Sequence, residues 1–117
     1  MIFTLVINDA PYGNEKAYNA LRLAMQLQKD YTDVEIRIFL MADAAFCAIA
    51  DTETPNGYYN IERMIKSILA KGGKIKACGT CGVARGVFNA PLIEGVERSN
   101  MAEYTAWVYE SDKVINF

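Results

Sequence analysis

Two cysteines lie two residues apart in the run Cys78-Gly79-Thr80-Cys81. No other residues in this chain are as well suited to covalent chemistry. A thiolate is the nucleophile in thiol exchange and in sulfur transfer, so a CxxC pair points to redox or sulfur-carrying work. The glycines at 79, 82 and 86 leave the backbone open around the pair. A helical turn starting near Gly82 would aim unpaired N–H groups at an anion there. Arg85 would add positive charge if it folds back over the sulfurs. Cys78 and Cys81 are therefore the candidate reactive residues, and Gly79, Thr80, Gly82 and Arg85 their candidate anion-binding surroundings.

Other chemistry is sparse. Histidine is absent, which removes Ser-His-Asp and Cys-His catalysis and histidine metal sites. One CxxC supplies two zinc ligands where a tetrahedral site takes four, so no metal and no cofactor are expected. Cys47 sits in the apolar run AAFCAIA and reads as a small core residue. Pro11-Tyr12-Gly13-Asn14-Glu15 matches no phosphate-loop pattern. There Asn14 can cap a helix and Glu15 suits its first turn, while Tyr12, Gly13 and Glu15 are candidates to wall a pocket reaching the Cys78 loop. Asp9 and Asp43 follow strands and read as turn and cap residues before they read as an acid–base pair. Tyr58, Tyr59, Tyr104, Trp107 and Tyr109 suit a packed interface better than a ligand wall.

The elements that must position these residues follow from periodicity. Met1 to Asn8 is almost continuously apolar, as a strand buried on both faces should be. In Glu15 to Lys29, Ala17, Ala20, Leu21, Ala24 and Met25 share one helical face, with Tyr18, Leu23 and Leu27 apolar on another. Val34 to Met41 is a second strand. Asp43 is placed to cap a short helix through Ala50. Asp51 to Tyr58 is a loop, after which Asn60 can cap a helix carrying Ile61, Met64, Ile65, Ile68 and Leu69, stopped by Gly72-Gly73. Lys74 to Cys78 is a third strand. Ala90 to Ile93 is a short strand or an extended link. Ser99 or Asn100 starts a last helix to Glu110, with Met101, Tyr104, Thr105 and Val108 expected inward. Lys113 to Phe117 closes the sheet.

This alternation predicts a parallel sheet with helices on both faces. Ligands in such folds bind outside the carboxyl ends of the strands. Those ends here are Asn8 to Gly13, Met41 to Asp43 and Cys78 to Gly82.

Composition agrees with a single folded domain over residues 1–117. Hydrophobic residues are 52% and charged residues 22% of the 117 positions, which excludes disorder. A folded chain of this size should expose roughly 6,300 Å² and bury about two thirds of its unfolded surface. Twelve Lys+Arg against fourteen Asp+Glu leave a net charge of −2 without a basic run, so neither nucleic acid nor a membrane surface is an expected partner. The apolar runs are far shorter than the about 20 residues a membrane helix needs. Three cysteines, with no basic leader before the first strand, fit reduced thiols in the cytoplasm.

Six blocks in order carry a resemblance: Ala10 to Ala24, Ile38 to Ala44, Gly57 to Met64, Cys78 to Gly86, Pro91 to Glu97 and Ser111 to Phe117. Together they resemble the YchN-like branch of the DsrE/DsrF family. The resemblance implies a three-layer α/β/α domain with a mostly parallel five-stranded sheet. It also implies homo-oligomers, hexameric in the YchN-like branch. Relatives in sulfur relay carry persulfide sulfur on the cysteine that follows a strand and precedes an Arg-Gly pair. Here Arg85-Gly86 is that pair, which puts the sulfur-accepting role on Cys78 and makes Cys81 an additional cysteine.

Three functions are therefore weighed. The first is a cytoplasmic homo-oligomeric sulfur carrier, loaded at Cys78 by a donor protein, unloaded to an acceptor protein, with Cys81 attacking the persulfide to release the cargo. The second is a CxxC dithiol oxidoreductase. The third is a non-catalytic oligomeric module that binds a small anion.

Overall fold

The computed structural model describes all of residues 1–117, and the fold is α/β, as expected. The chain runs β1 (Ile2–Ile7), α1 (Lys16–Asp30), β2 (Glu35–Leu40), a 3-10 segment (Ala42–Ala48), α2 (Ile61–Ala70), β3 (Lys74–Cys78), α3 (Gly79–Ala84), β4 (Val96–Ser99), α4 (Met101–Glu110) and β5 (Lys113–Asn116). All five strands are parallel, in the order β4-β3-β2-β1-β5. The exposed surface is 6409 Å², close to that expected of a self-contained chain of this length.

Alternation along the strands sorts side chains to two faces. One face presents Leu5, Ile7, Ile36, Ile38, Leu40, Ile75 and Ala77 to α1, α2 and the 3-10 segment, forming the main core. The contact face of α1 is Ala17, Ala20, Leu21 and Ala24, so the helix lies close to the sheet. The opposite face carries Phe39 and Cys78 and is covered by α4 through Trp107, with Tyr104 beside it.

That second layer is built on charge as well as on apolar surface. Arg37 is buried on β2 between Glu35 and Glu110, and its guanidinium lies 5.6 Å from the Trp107 ring centroid. The Lys76 ammonium lies 5.0 Å from the same ring and pairs with Glu103 at 3.2 Å. Trp107 is thus held between two cations whose charge is matched by α4's own glutamates.

This overturns the expected inward face of α4. Met101 and Val108 are exposed, Thr105 faces solvent, and only Tyr104 of the four expected residues packs inward. The strands beneath α4 offer cations, so the helix turns Glu103, Trp107 and Glu110 towards them. Hydrophobic spacing alone misses a face whose partners are charged.

One open alternative is settled and two other local expectations are corrected. The fourth strand is Val96–Ser99, whereas Ala90 to Ile93 is an extended connection bridged through Leu92 to Ile49, just after the 3-10 segment. VERS reads as polar because an edge strand needs few buried residues: Val96 and Ser99 alone are buried in it. Asp43 does not cap the 3-10 segment, whose first flanking residue is Met41 and has no side-chain cap; Asp43 pairs with Arg85. Finally, α3 begins at Gly79, directly after the strand, and not near Gly82.

Asn60 and Asn100 cap α2 and α4, accepting from the N–H groups of Arg63 and Glu103. Strand order reverses between β1 and β5. There the crevice is closed by Phe117, whose carbonyl accepts from the backbone and side-chain amides of Asn8. The open strand ends are those of β3 and β4.

Candidate functional site

Cys78 is the last residue of β3 and also the residue that caps α3. Its Sγ accepts the backbone N–H of Cys81 at 3.5 Å and lies 3.5 Å from Oγ1 of Thr80. Burial pushes this thiol up. Hydrogen bonds from the Cys81 thiol, the Thr80 hydroxyl and the amides of both residues outweigh it, and the balance falls below an ordinary thiol.

Cys81 behaves in the opposite way. Burial and the hydrogen it gives to Cys78 raise its pKa, against a smaller lowering by the Ala42 amide and Arg85. Its Sγ accepts the Ala42 N–H at 3.2 Å, facing the 3-10 segment. The two sulfurs therefore form an asymmetric pair, with the Cys78 thiol lowered and the Cys81 thiol raised. Cys47 is a buried core residue whose thiol is pushed up to about 12 by burial, so it is inert at neutral pH.

Cys78 borders a cavity of about 780 Å³ with Gly79, Thr80, Val83, Arg98, Asn100 and Met101 among its walls. Gly79 and Thr80 thus lie at the site with Cys78. Gly79 has a steric reason to be there: a Cβ would come within 2.7 Å of the Ser99 carbonyl oxygen, so only glycine lets α3 start against β4.

Gly82 does not line the cavity. It is buried, and a Cβ on it would lie 2.3 Å from the Phe88 ring, so its task is to let Phe88 pack under α3. Arg85 likewise does not line the cavity, although its charge lowers the Cys81 thiol. Its Nε pairs with Asp43 at 2.7 Å and its Nη1 donates to the Cys81 carbonyl at 3.1 Å, fastening α3 to the 3-10 segment. Arg98, which sequence reading passed over, is the cation on the cavity wall. The register signals this, since Ala77 pairs with Arg98 and Cys78 with Ser99, but only once VERS is known to be β4.

Tyr12, Gly13 and Glu15 are placed elsewhere. The Tyr12 hydroxyl accepts the Ile61 N–H at 3.1 Å, tying the β1–α1 loop to the start of α2. Its ring joins Tyr58 and Tyr59 in an aromatic group at 5.8 and 5.4 Å. Gly13 and Glu15 line a separate hollow with Asn14, Tyr58 and Tyr59. Asn14 accepts the Lys16 N–H and donates to Asp9, and Asp9 pairs with Lys16 at 3.4 Å, so this loop serves helix initiation. No three Cys, Asp or Glu side chains are grouped so as to hold a metal ion, and no helix is long and apolar enough to cross a membrane.

The model of the DsrE/DsrF-like family matches residues 1–117. The chain belongs to this family. It is 38% identical over 113 residues to protein YchN of Escherichia coli, covering 97% of this chain and 96% of that one. It is 39% identical to a Methanopyrus kandleri protein over 116 residues, 99% of this chain and 93% of the relative. The crystal structure of E. coli YchN superposes with a TM-score of 0.94 at 37% identity, covering 100% of this chain and 99% of that one. A Bacteroides thetaiotaomicron protein shares the fold at a TM-score of 0.63 and 16% identity, covering 98% and 94% of the two chains. Like YchN, this DsrE/DsrF-like chain is a single α/β domain with a five-stranded parallel sheet.

Proposed function

We propose that this protein carries sulfane sulfur on Cys78. The supporting observation is the asymmetry of the CxxC pair. Cys78 borders an open cavity with its pKa lowered, while Cys81, the more exposed of the two, sets its sulfur against the Ala42 amide with its pKa raised. A nucleophile that accepts sulfur is helped by a lowered pKa and by an opening for the donor, and the cavity beside the recessed Cys78 supplies the second.

In loading, the Cys78 thiolate attacks the outer sulfur of a donor persulfide. A new S–S bond forms at Cys78, the donor S–S bond breaks, and the donor leaves as a thiolate. In delivery, an acceptor thiolate attacks the outer sulfur of the Cys78 persulfide and Cys78 returns as thiolate. The sulfur atom moves with no net redox change. Cys81 keeps its proton and stabilises the anion at Cys78 in both resting and released states. This is a different role from attack on the persulfide, which needs a Cys81 thiolate. A persulfide donor and an acceptor protein are its partners. The carrier works as a cytoplasmic homo-oligomer, hexameric as in the YchN-like branch. Self-assembly is supported by the apolar side chains that α4 leaves outside, with Tyr109 91% and Met101 62% exposed.

Mass spectrometry after exposure to a persulfide donor tests this reading. One added sulfur atom on the Cys78 peptide, removed by reductant, is expected in the parent protein and in Cys81→Ser. Cys78→Ser should not load, and loading of that variant at the parental rate would sink the assignment.

A second reading is a dithiol oxidoreductase. It gains from Cys78 capping α3 with the Cys81 amide on its sulfur, since a helix start lowers a thiol's pKa. Loss of two hydrogens with no sulfur gained would select it.

A further inference from the structure

The cavity at Cys78 has one charged wall, Arg98, and no carboxylate among its lining residues. Arg98 makes no ion pair. Glu103 is bound by Ser99 and Lys76, and Glu97 precedes Arg98 on β4 and so points to the other side of the strand. The side chain is exposed, and its guanidinium lies 4.6 Å from the Phe88 ring centroid. Phe88 can sit there only because residue 82 is glycine. The Cys78 thiol and an unpaired cation thus line one cavity, whose other walls are neutral and whose mouth carries exposed Val83 and Met101.

We infer that Arg98 selects the sulfur donor, and that the cavity accepts a low-molecular-weight thiol persulfide bearing a carboxylate, its charge on Arg98 and its outer sulfur at Cys78. This assignment rests on the carrier reading above. The size favours a small molecule: about 780 Å³ lies within the range of small-ligand sites, and Cys78 is recessed, with 7% of its surface exposed. Chemistry is balanced as in loading. The Cys78 thiolate takes the outer sulfur, and the small thiol leaves as thiolate with its carboxylate unchanged. A planar guanidinium with several N–H donors is matched to a carboxylate.

The test measures the rate of Cys78 persulfide formation with three donors. They are the persulfides of 3-mercaptopropionate (anionic), 2-mercaptoethanol (neutral) and cysteamine (cationic). Each is compared between the parent and Arg98→Gln, so that intrinsic donor reactivity cancels. The variant should lose about three- to tenfold with the anionic donor, through a higher half-saturating concentration and an unchanged maximal rate. It should lose nothing with the neutral donor and gain with the cationic one. Arg98→Lys should retain part of the preference, and the anionic advantage should shrink as salt is raised. Equal parent-to-variant ratios for all three donors would overturn the donor assignment and leave the carrier reading standing. Failure of every donor to load the parent protein would overturn the carrier reading, and the donor assignment with it.

Discussion

The backbone N–H of Cys81 points at Sγ of Cys78 across 3.5 Å, while Sγ of Cys81 accepts the Ala42 N–H at 3.2 Å. One turn of helix thus gives two chemically similar residues opposite tasks. The Cys78 sulfur is the acceptor of this arrangement, and its thiol lies below the ordinary value for that reason.

Removing the donor partner should therefore undo the activation. In Cys81→Ala the thiol hydrogen bond to Cys78 is lost while the backbone amide remains. Ultraviolet titration of the thiolate should place the parental Cys78 midpoint below the about 8.5 of a free thiol. The variant's midpoint should be higher, because a hydrogen bond to the charged form has been removed. An unchanged midpoint would remove Cys81 from any role in activating Cys78.

Gly82→Ala weighs two effects against each other. Alanine should favour the helix by about 1 kcal/mol over glycine. The added Cβ, however, would stand 2.3 Å from the Phe88 ring, and overpacking costs about 1–3 kcal/mol. A net loss of about 1 kcal/mol is expected in urea unfolding. Combining it with Phe88→Leu should recover part of that loss, because the two side chains compete for one space.

Glu62 should make stability depend on acid. Burial raises its pKa, but the Lys66 ammonium, the amides of Thr52 and Asp51 and the Thr52 hydroxyl lower it further, to about 2. A depressed carboxylate stabilises the fold above its unfolded pKa, near 4.5, and that contribution fades as pH falls towards 2. Its size is about 3 kcal/mol. Unfolding midpoints measured from pH 7 to pH 2.5 should fall steeply below pH 4.5 in the parent and less steeply in Glu62→Gln.

Tyr12→Phe separates the two roles proposed for that residue. Its hydroxyl accepts the Ile61 N–H at the start of α2. Loss of that bond should cost about 1 kcal/mol of stability. The rate of Cys78 loading should not change. A loading defect without a stability defect would bring Tyr12 back to the site.

Much of the architecture was legible in the residues. The apolar run Ile2–Ile7, the i, i+3, i+4 faces of α1 and α2 and the caps at Asn60 and Asn100 all report local physics, because backbone geometry and burial on one face set their spacing. The placing of Cys78 at a strand end was equally local, since KIKAC ends where the glycines begin. The parallel order followed from alternation of the two element types.

Only the tertiary structure decided what each charged or small residue serves, because that depends on partners distant in sequence. Arg85 reaches Asp43 and leaves the cavity to Arg98, which lies on a strand too polar to read as one. Gly82 makes room for Phe88, and Trp107 turns inward to meet Arg37 and Lys76 from two other strands. Spacing along a chain reveals which face of an element is apolar. It carries no record of which cation, ring or carbonyl will stand opposite a given side chain once the sheet has brought distant segments together.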